Sequence, residues 1–286
     1  MWGRLYGLIG GGDARRWASC GRATVRGKLH GYEMELDLAN WSERLSFCLG
    51  RYHDLPLQLA MHKVLRPGDA FVDIGANLGL VSLLASRLVG PAGVVLACEP
   101  NPSLGSRLQS HVQRNGLRHV QIVAEALGSE AGVAELREYA GHSGWGSLSA
   151  VGPEGEVETA IHRVAVVAGD DVAARIPGVH PLVIKIDVEG HEVPVVRGLA
   201  RTLGARQPLV FLEVVDAHQR RAGYSAAELR SHIERFGYRG YGIETSRSLL
   251  RHSLRFVPID ESTSPDALFV PVCGPLHDRV AALLAR

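Results

Sequence analysis

AFVDIGANLG, residues 70–79, followed by LVSLLASRLV, residues 80–89, decides the reading of the whole chain. An apolar run that ends in an acid, a glycine-bearing turn and an amphipathic segment predict a buried strand, a tight turn and a helix start. Gly75 can take φ > 0 at no steric cost, and Gly75 and Gly79 together let the backbone approach a bound ligand closely. Asp73 stands at the strand end, where the free N–H groups of the new helix also point. Glycine turns after strands are common, so this one gains weight only from a second acid.

That acid is Glu99. VVLACE, residues 94–99, reads as a second buried strand whose terminal carboxylate lies 24 residues beyond Gly75. This is near the ~20-residue spacing at which a strand-end acid receives ribose hydroxyls. The competing reading, that Glu99 only caps the next helix, meets better cap candidates in Asn101 or Ser103, with Pro102 suited to an early helical position. In the first turn Asn77 occupies the place of the middle glycine that makes room for a pyrophosphate in nicotinamide enzymes. Asp73 would repel a pyrophosphate and suits a cationic ligand. S-adenosylmethionine, with a sulfonium, an amino group and no phosphate, fits these acids better than NAD.

The 286 residues are enough for one large core, and we expect one main α/β domain, residues 67–286, with an N-terminal extension, residues 1–66. A formal charge of +1 and the lack of a basic stripe interleaved with aromatics count against a nucleic-acid partner. Of 31 basic residues only Lys28, Lys63 and Lys185 are lysines, an excess of arginine from which no function follows. Cys20, Cys48, Cys98 and Cys273 form no C-x-x-C pair and fit a reducing compartment. There is no apolar run near the ~18 residues of a membrane span, and MWGRLYGLIGGG has too short an apolar core for a secretory signal. The expectation is a soluble, cytoplasmic protein. A homo-oligomer is neither required nor excluded.

Along the chain, residues 22–39 alternate apolar and polar about Gly31 and predict a β-hairpin, with an amphipathic stretch at 54–64. Strands are expected at 120–124, 182–187, 209–214 and 267–272, with helices at 104–115, 191–203 and 225–236 and a short helix at the end of the chain. Residues 130–166 read as irregular, apart from the strand-like RVAVV. They contain GHSGWGSLS, whose His142, Ser143, Trp145 and Ser147 serve equally as a lid over a ligand or as a surface anchor. Alternating strands and helices imply a mostly parallel sheet with helices on both faces and ligands beyond the carboxyl ends of its strands. Asp73, Glu99, Asp187 and Glu213 all fall at such ends.

IKIDVEGHE, residues 184–192, packs Asp187, Glu189, His191 and Glu192 into six residues at a strand end, and places Lys185 in an apolar strand. Burying Lys185 and Asp187 is costly unless they pair or face the crevice. Repulsion between these carboxylates would raise some of their pKa values, one route to a catalytic base. The alternative is a solvated acidic turn favouring the helix N-terminus. Asp187 and Glu213 also offer hard oxygen ligands to a divalent ion such as Mg2+, though nothing in the sequence requires one.

VDIGANLG, ACEPNP, EALGS, KIDVEGHE and FLEV, in this order and spacing, resemble the FkbM family of S-adenosylmethionine-dependent methyltransferases over residues 45–242. The resemblance implies a class I methyltransferase, Rossmann-like seven-stranded sheet with the seventh strand antiparallel. It also implies transfer to oxygen, typically a hydroxyl of a sugar, polyketide or other natural product. By this resemblance Asp73, Gly75, Asn77 and Gly79 belong to the first cofactor motif. Glu99, Pro100 and Asn101 match the ribose motif, and Glu125 and Ala126 lie near the adenine. Asp187 and Glu189 face the acceptor. His191 stands where the family usually has a small residue. His53 follows Gly50-Arg51-Tyr52, where members often carry G-x-Y-E, which makes it an acceptor-side or base candidate.

Two other enzyme classes compete. An amine- or nucleic-acid-methylating enzyme typically carries an N/D-P-P-Y-like segment after the fourth strand, where this chain has DVEG. A Rossmann oxidoreductase is disfavoured by Asn77. A non-catalytic module that keeps the cofactor pocket is disfavoured by the acids at both ends of the crevice.

Overall fold

A computed structural model describes residues 6–7, 10–139, 146–148, 152, 157–247, 252–259 and 266–284. After a short helix α1 (Ala14–Trp17), β1 (Arg22–Arg26) and β2 (Glu33–Asp37) form an antiparallel hairpin in the register Arg22↔Asp37 to Arg26↔Glu33. Helices α2 (Trp41–Leu49) and α3 (Leu55–Val64) follow, N-capped by the Asn40 and Asp54 side chains. Then come β3 (Ala70–Ile74), α4 (Leu80–Val89), β4 (Val94–Cys98), α5 (Pro102–Arg114) and β5 (Val120–Val123). The strands β6 (Ala126–Gly128), β7 (Gly132–Tyr139) and β8 (Glu158–Ala168) precede α6 (Gly169–Ala173) and β9 (Leu182–Ile186). The chain continues through α7 (Glu192–Gly198), α8 (Ala200–Ala205), β10 (Leu209–Glu213), α9 (Asp216–Arg221) and α10 (Ala226–Glu234). It closes with β11 (Tyr238–Arg247), β12 (His252–Pro258), β13 (Asp266–Pro271) and α11 (Pro275–Leu284).

The main sheet has the order β12-β11-β13-β10-β9-β3-β4-β5. From β10 through β5 it is parallel, and β13 runs antiparallel to both β10 and β11. Without β12 this is a seven-stranded sheet whose last strand, β13, is antiparallel to its neighbours, as expected. The eighth strand, β12, is an addition that pairs with β11 from Tyr241↔Pro258 to Arg247↔His252. Neither β11 nor β12 is among the expected strands.

Alternation along each strand divides the core. Phe71, Val95, Val183 and Phe211 face α3, α4, α11 and the N-terminal hairpin residues Met34 and Leu36. Val72, Leu96, Ile184, Val210 and Leu212 face α6, α7, α8 and α10 on the other side. The hairpin therefore shares its core with the sheet. Arg107 of α5 holds it there, donating to Glu43 Oε1 at 2.9 Å and Oε2 at 2.7 Å and to the Glu35 carbonyl at 3.1 Å. Glu43 is almost wholly buried and also accepts the Asp37 N–H at 2.6 Å. Arg107→Ala would leave that carboxylate short of its partner, a charged hydrogen bond worth about 1.5–3 kcal/mol. We expect a matching loss in chemical denaturation. No change in the unfolding midpoint would show that the pair does not fasten the hairpin.

The stretch 130–166, expected to be largely irregular, carries β7 and most of β8, which with β6 form a second sheet of order β6-β8-β7, β7 and β8 being antiparallel from Gly132↔Val166 onward. The helix expected at 191–203 is two, α7 and α8, meeting at Leu199. Gly198 ends α7 so close to β6 that a Cβ there would lie 1.9 Å from the Gly128 carbonyl oxygen. Among the described residues no helix is long and apolar enough to cross a membrane.

Candidate active site

The turn after β3 is shaped by contact with the next two strands. Gly75 has φ +80°, and a Cβ on it would stand 1.9 Å from the Asp187 carbonyl oxygen. The Gly75 and Ala76 N–H groups both donate to the Cys98 carbonyl, at 3.1 and 3.0 Å. Asn77 adopts φ +52°, a left-handed conformation that asparagine tolerates better than most residues. Gly79 has φ +78° and opens α4 with no side-chain cap.

Glu99 follows β4 with its carboxylate held on both oxygens. Oε2 accepts the Asn77 N–H at 2.7 Å and Oε1 the Asn101 N–H at 2.9 Å. The helix cap is Asn101, whose Oδ1 accepts from Ser103 and Leu104 N–H with Pro102 in the first turn. Glu99 is thus free of capping duty. Burial pushes its carboxyl up to about 7, opposed by the two N–H bonds. Asn101 also donates from its side chain to Glu138 of β7, which His162 of β8 contacts at 2.9 Å.

Lys185 lies beside Asp73 in the parallel register of β3 and β9. Its buried Nζ donates to the Gly75 carbonyl at 3.0 Å and sits 3.2 Å from Asp187 Oδ2 and 3.5 Å from Asp73 Oδ1. Burial works against the charge, yet the Asp187 and Asp73 carboxylates raise the Lys185 pKa above the ordinary lysine value. Asp73 is fully buried and accepts the Ser82 hydroxyl at 2.5 Å. Burial raises its pKa, with Lys185 and Ser82 opposing.

A cavity of about 1300 Å³, counting its open mouth, runs across the carboxyl ends of β3, β4, β9 and β10. Gly75, Asn77, Glu99, Pro100, Asn101, Glu125 and Ala126 line one part, and His53, Asp187, Glu189 and Glu213 another. Asp73 and Gly79, read from the sequence as cofactor-facing, are not in its wall. Asp73 sits behind it holding Lys185, and a Cβ at Gly79 would meet Leu108. Of GHSGWGSLS, His142, Ser143 and Trp145 lie outside the described residues. Gly146 lines the cavity, and Ser147 Oγ donates to the Glu189 carbonyl at 3.0 Å.

At the acid-rich end, Glu189 takes φ +54° in the turn before α7. Its Oε2 lies 3.3 Å from His218 Nδ1, and Glu213 Oε2 lies 3.1 Å from the same nitrogen. Burial, then the charges of Asp187 and Glu213, push the Glu189 carboxyl up to about 8. Burial, then Asp187 and Glu192, push Glu213 to about 9. Among the described residues Glu189, Glu213 and His218 form the group with metal-compatible geometry, their ligand atoms all within 4.8 Å of one another. Of the two candidates named from sequence, Glu213 belongs to this group, while Asp187 is not part of it and has its Oδ2 3.2 Å from Lys185 Nζ. Glu192 turns away from the cavity to accept the Val188 and Gly190 N–H groups. His191 lines the cavity, and burial drives its pKa down to about 4.

Sequence reading missed the contribution of α2, whose Ser42, Glu43 and Ser46 line the cavity, and it missed His218. A histidine five residues past a strand-end acid was the available signal. The acids Asp54 and Asp266 were also missed. They line a smaller adjoining chamber with Tyr52, His53, Asp187 and Glu213.

Residues 73–239 match the family model described as the methyltransferase FkbM domain. No curated protein matches the chain. Similar solved structures include a methyltransferase FkbM from Methylobacillus flagellatus KT, at 16% identity and a TM-score of 0.44. That match covers 74% of this chain and 50% of the other, so the chain spans half the length of that relative. A structure described as a putative rRNA-methylase from Clostridium thermocellum matches at 8% identity and a TM-score of 0.43, covering 74% of this chain and 90% of that one. A SAM-dependent O-methyltransferase from Thermotoga maritima matches at 12% identity and a TM-score of 0.42, covering 88% and 86%.

Proposed function

The chain belongs to the methyltransferase FkbM family, and on that premise we propose that it moves the methyl group of S-adenosylmethionine to a hydroxyl oxygen of a small molecule, of the sugar or natural-product class. The observation that carries this reading is one cavity with two different ends, the amide-anchored Glu99 at one and the Asp187, Glu189 and Glu213 carboxylates at the other.

The wall residues fit the methyl donor. Each Glu99 oxygen spends one lone pair on a backbone N–H, leaving the other for a ribose hydroxyl. Gly75 keeps the cradle clear where any side chain would collide with the Asp187 carbonyl. Pro100, Glu125 and Ala126 line the same part of the cavity as Glu99, which leaves them available to the ribose and adenine in this reading. S-adenosylmethionine, when bound, supplies a sulfonium methyl carbon already activated for displacement.

The chain's share of the chemistry is positioning and proton removal. Holding acceptor oxygen and methyl carbon in line is the larger contribution. The acceptor hydroxyl must lose its proton as the new C–O bond forms, and Asp187, which borders both chambers, is the base we assign. Lys185 fixes the Asp187 carboxylate from behind. Glu189 and His53 border the same space and orient the hydroxyl.

Calorimetric titration with S-adenosylmethionine, S-adenosylhomocysteine and NAD tests the donor. Binding of both adenosyl ligands without NAD is expected, and binding of NAD alone overturns the reading. Release of S-adenosylhomocysteine with a panel of hydroxyl and amine compounds then tests the acceptor class, and turnover confined to amines would overturn oxygen transfer. Glu99→Ala should weaken S-adenosylmethionine by about 10- to 100-fold, since hydrogen bonds to a charged group contribute about 1.5–3 kcal/mol. Because burial raises the Glu99 carboxyl to about 7, wild-type affinity should weaken as pH falls through that value and the variant should show a flatter profile. Identical pH profiles would remove Glu99 from the ribose site.

A further inference from the structure

We propose that Glu189, Glu213 and His218 form a binding site for a divalent first-row transition-metal ion, preferred over Mg2+, at the acceptor end of the cavity. The metal's role toward the acceptor rests on the methyltransferase reading, whereas its binding does not.

His218 Nδ1 carries at most one hydrogen, yet two carboxylate oxygens from different elements converge on it at 3.1 and 3.3 Å. Those spacings match what a metal imposes. Ligand bonds of about 2.0–2.2 Å place neighbouring ligands roughly 3.0–3.5 Å apart in octahedral or tetrahedral arrangements. The three donors come from the turn before α7, the end of β10 and helix α9, so a shared cation would join three separate pieces of the fold.

The support behind the donors is stiff. A Cβ at Gly190 would lie 2.7 Å from the His218 carbonyl oxygen, so the turn carrying Glu189 is pressed against the helix carrying His218. Glu192 locks the same turn by accepting the Gly190 and Val188 N–H groups. Both glutamates border the cavity, so the ion would keep positions open to a hydroxyl oxygen. Lys185, which also lines the cavity, is held by Asp187, Asp73 and the Gly75 carbonyl. Two carboxylates match the charge of one divalent ion. The imidazole decides between ions, because Mg2+ takes oxygen ligands almost exclusively while first-row transition metals accept nitrogen. A metal-held hydroxyl would have a lowered pKa and a fixed orientation, which would ease proton loss to Asp187.

The test is binding of Mn2+, with Mg2+ as competitor, to the metal-free full chain, read by electron paramagnetic resonance without any acceptor or methyl donor. We expect Mn2+ to bind at least tenfold more tightly than Mg2+. Glu213→Gln and His218→Asn, checked by circular-dichroism melting, should each weaken Mn2+ at least tenfold. Mn2+ no tighter than Mg2+, or folded variants that bind like the wild type, overturns the proposal. The wild-type competition stands even if a variant fails to fold. Failure of the S-adenosylmethionine titration would instead strike the methyltransferase reading and leave this site standing.

Discussion

Asp187→Asn should cut turnover by about 10²- to 10⁴-fold, the usual range for losing a general base, while S-adenosylmethionine affinity stays within about twofold. The substitution keeps side-chain size and leaves an oxygen that can still accept from Lys185, 3.2 Å away. The Asp187 backbone, against which Gly75 packs, is unchanged. The loss should therefore appear in kcat and not in donor binding, because the carboxylate acts on the acceptor proton only as the C–O bond forms. Single-turnover formation of S-adenosylhomocysteine and calorimetry on the same protein separate the two. Full activity in the variant would move the base to Glu189 or His53, which share the cavity wall. A large loss of donor affinity would mean that Asp187 belongs to the cofactor end.

The part of this site legible from sequence is the part encoded locally. Gly75 and Glu99 are marked by strand-turn-helix patterns within 30 residues of each other, and Asn101 carries a cap signal next to Pro102. What was not legible depends on contacts between distant segments. His218 meets Glu189 only because α9 packs on the turn before α7. Asp54 and Asp266, 212 positions apart, border one chamber through the insertion of β13 beside β10. The strands β7 and β8 are hard to read because most of their positions are exposed or half-buried and they form a small sheet apart from the main core. Strand β12 is an edge, where weak burial leaves little hydrophobic pattern. Asp73 shows how register adds to position. It stands at the expected strand end, but pairing in register with Lys185 of β9 draws its carboxylate behind the wall.

That pairing gives the largest expected effect on stability. Lys185→Met keeps an unbranched apolar stem while removing the cation, leaving Asp73 fully buried with only the Ser82 hydroxyl as a polar partner. Breaking a buried pair in this way costs about 3–5 kcal/mol, since the remaining charge has lost its compensation. The cost should depend on pH, with a sign fixed by linkage. The Asp73 pKa in the fold is already raised by burial, and losing Lys185 raises it further above the unfolded value of 3.8. The folded variant then binds a proton that the unfolded chain has released, so its stability falls as pH rises from about 4 toward that raised pKa. Lys185 itself has a raised pKa, so its contribution is fully present below pH 10.5 and does not vary between pH 5 and 8. The gap in melting temperature between wild type and Lys185→Met should be wider at pH 8 than at pH 5. Adding Asp73→Asn should recover much of the loss by removing the stranded charge. Equal gaps at the two pH values, or no rescue by Asp73→Asn, would show that Asp73 does not depend on Lys185, and the wall of the cavity would need another support.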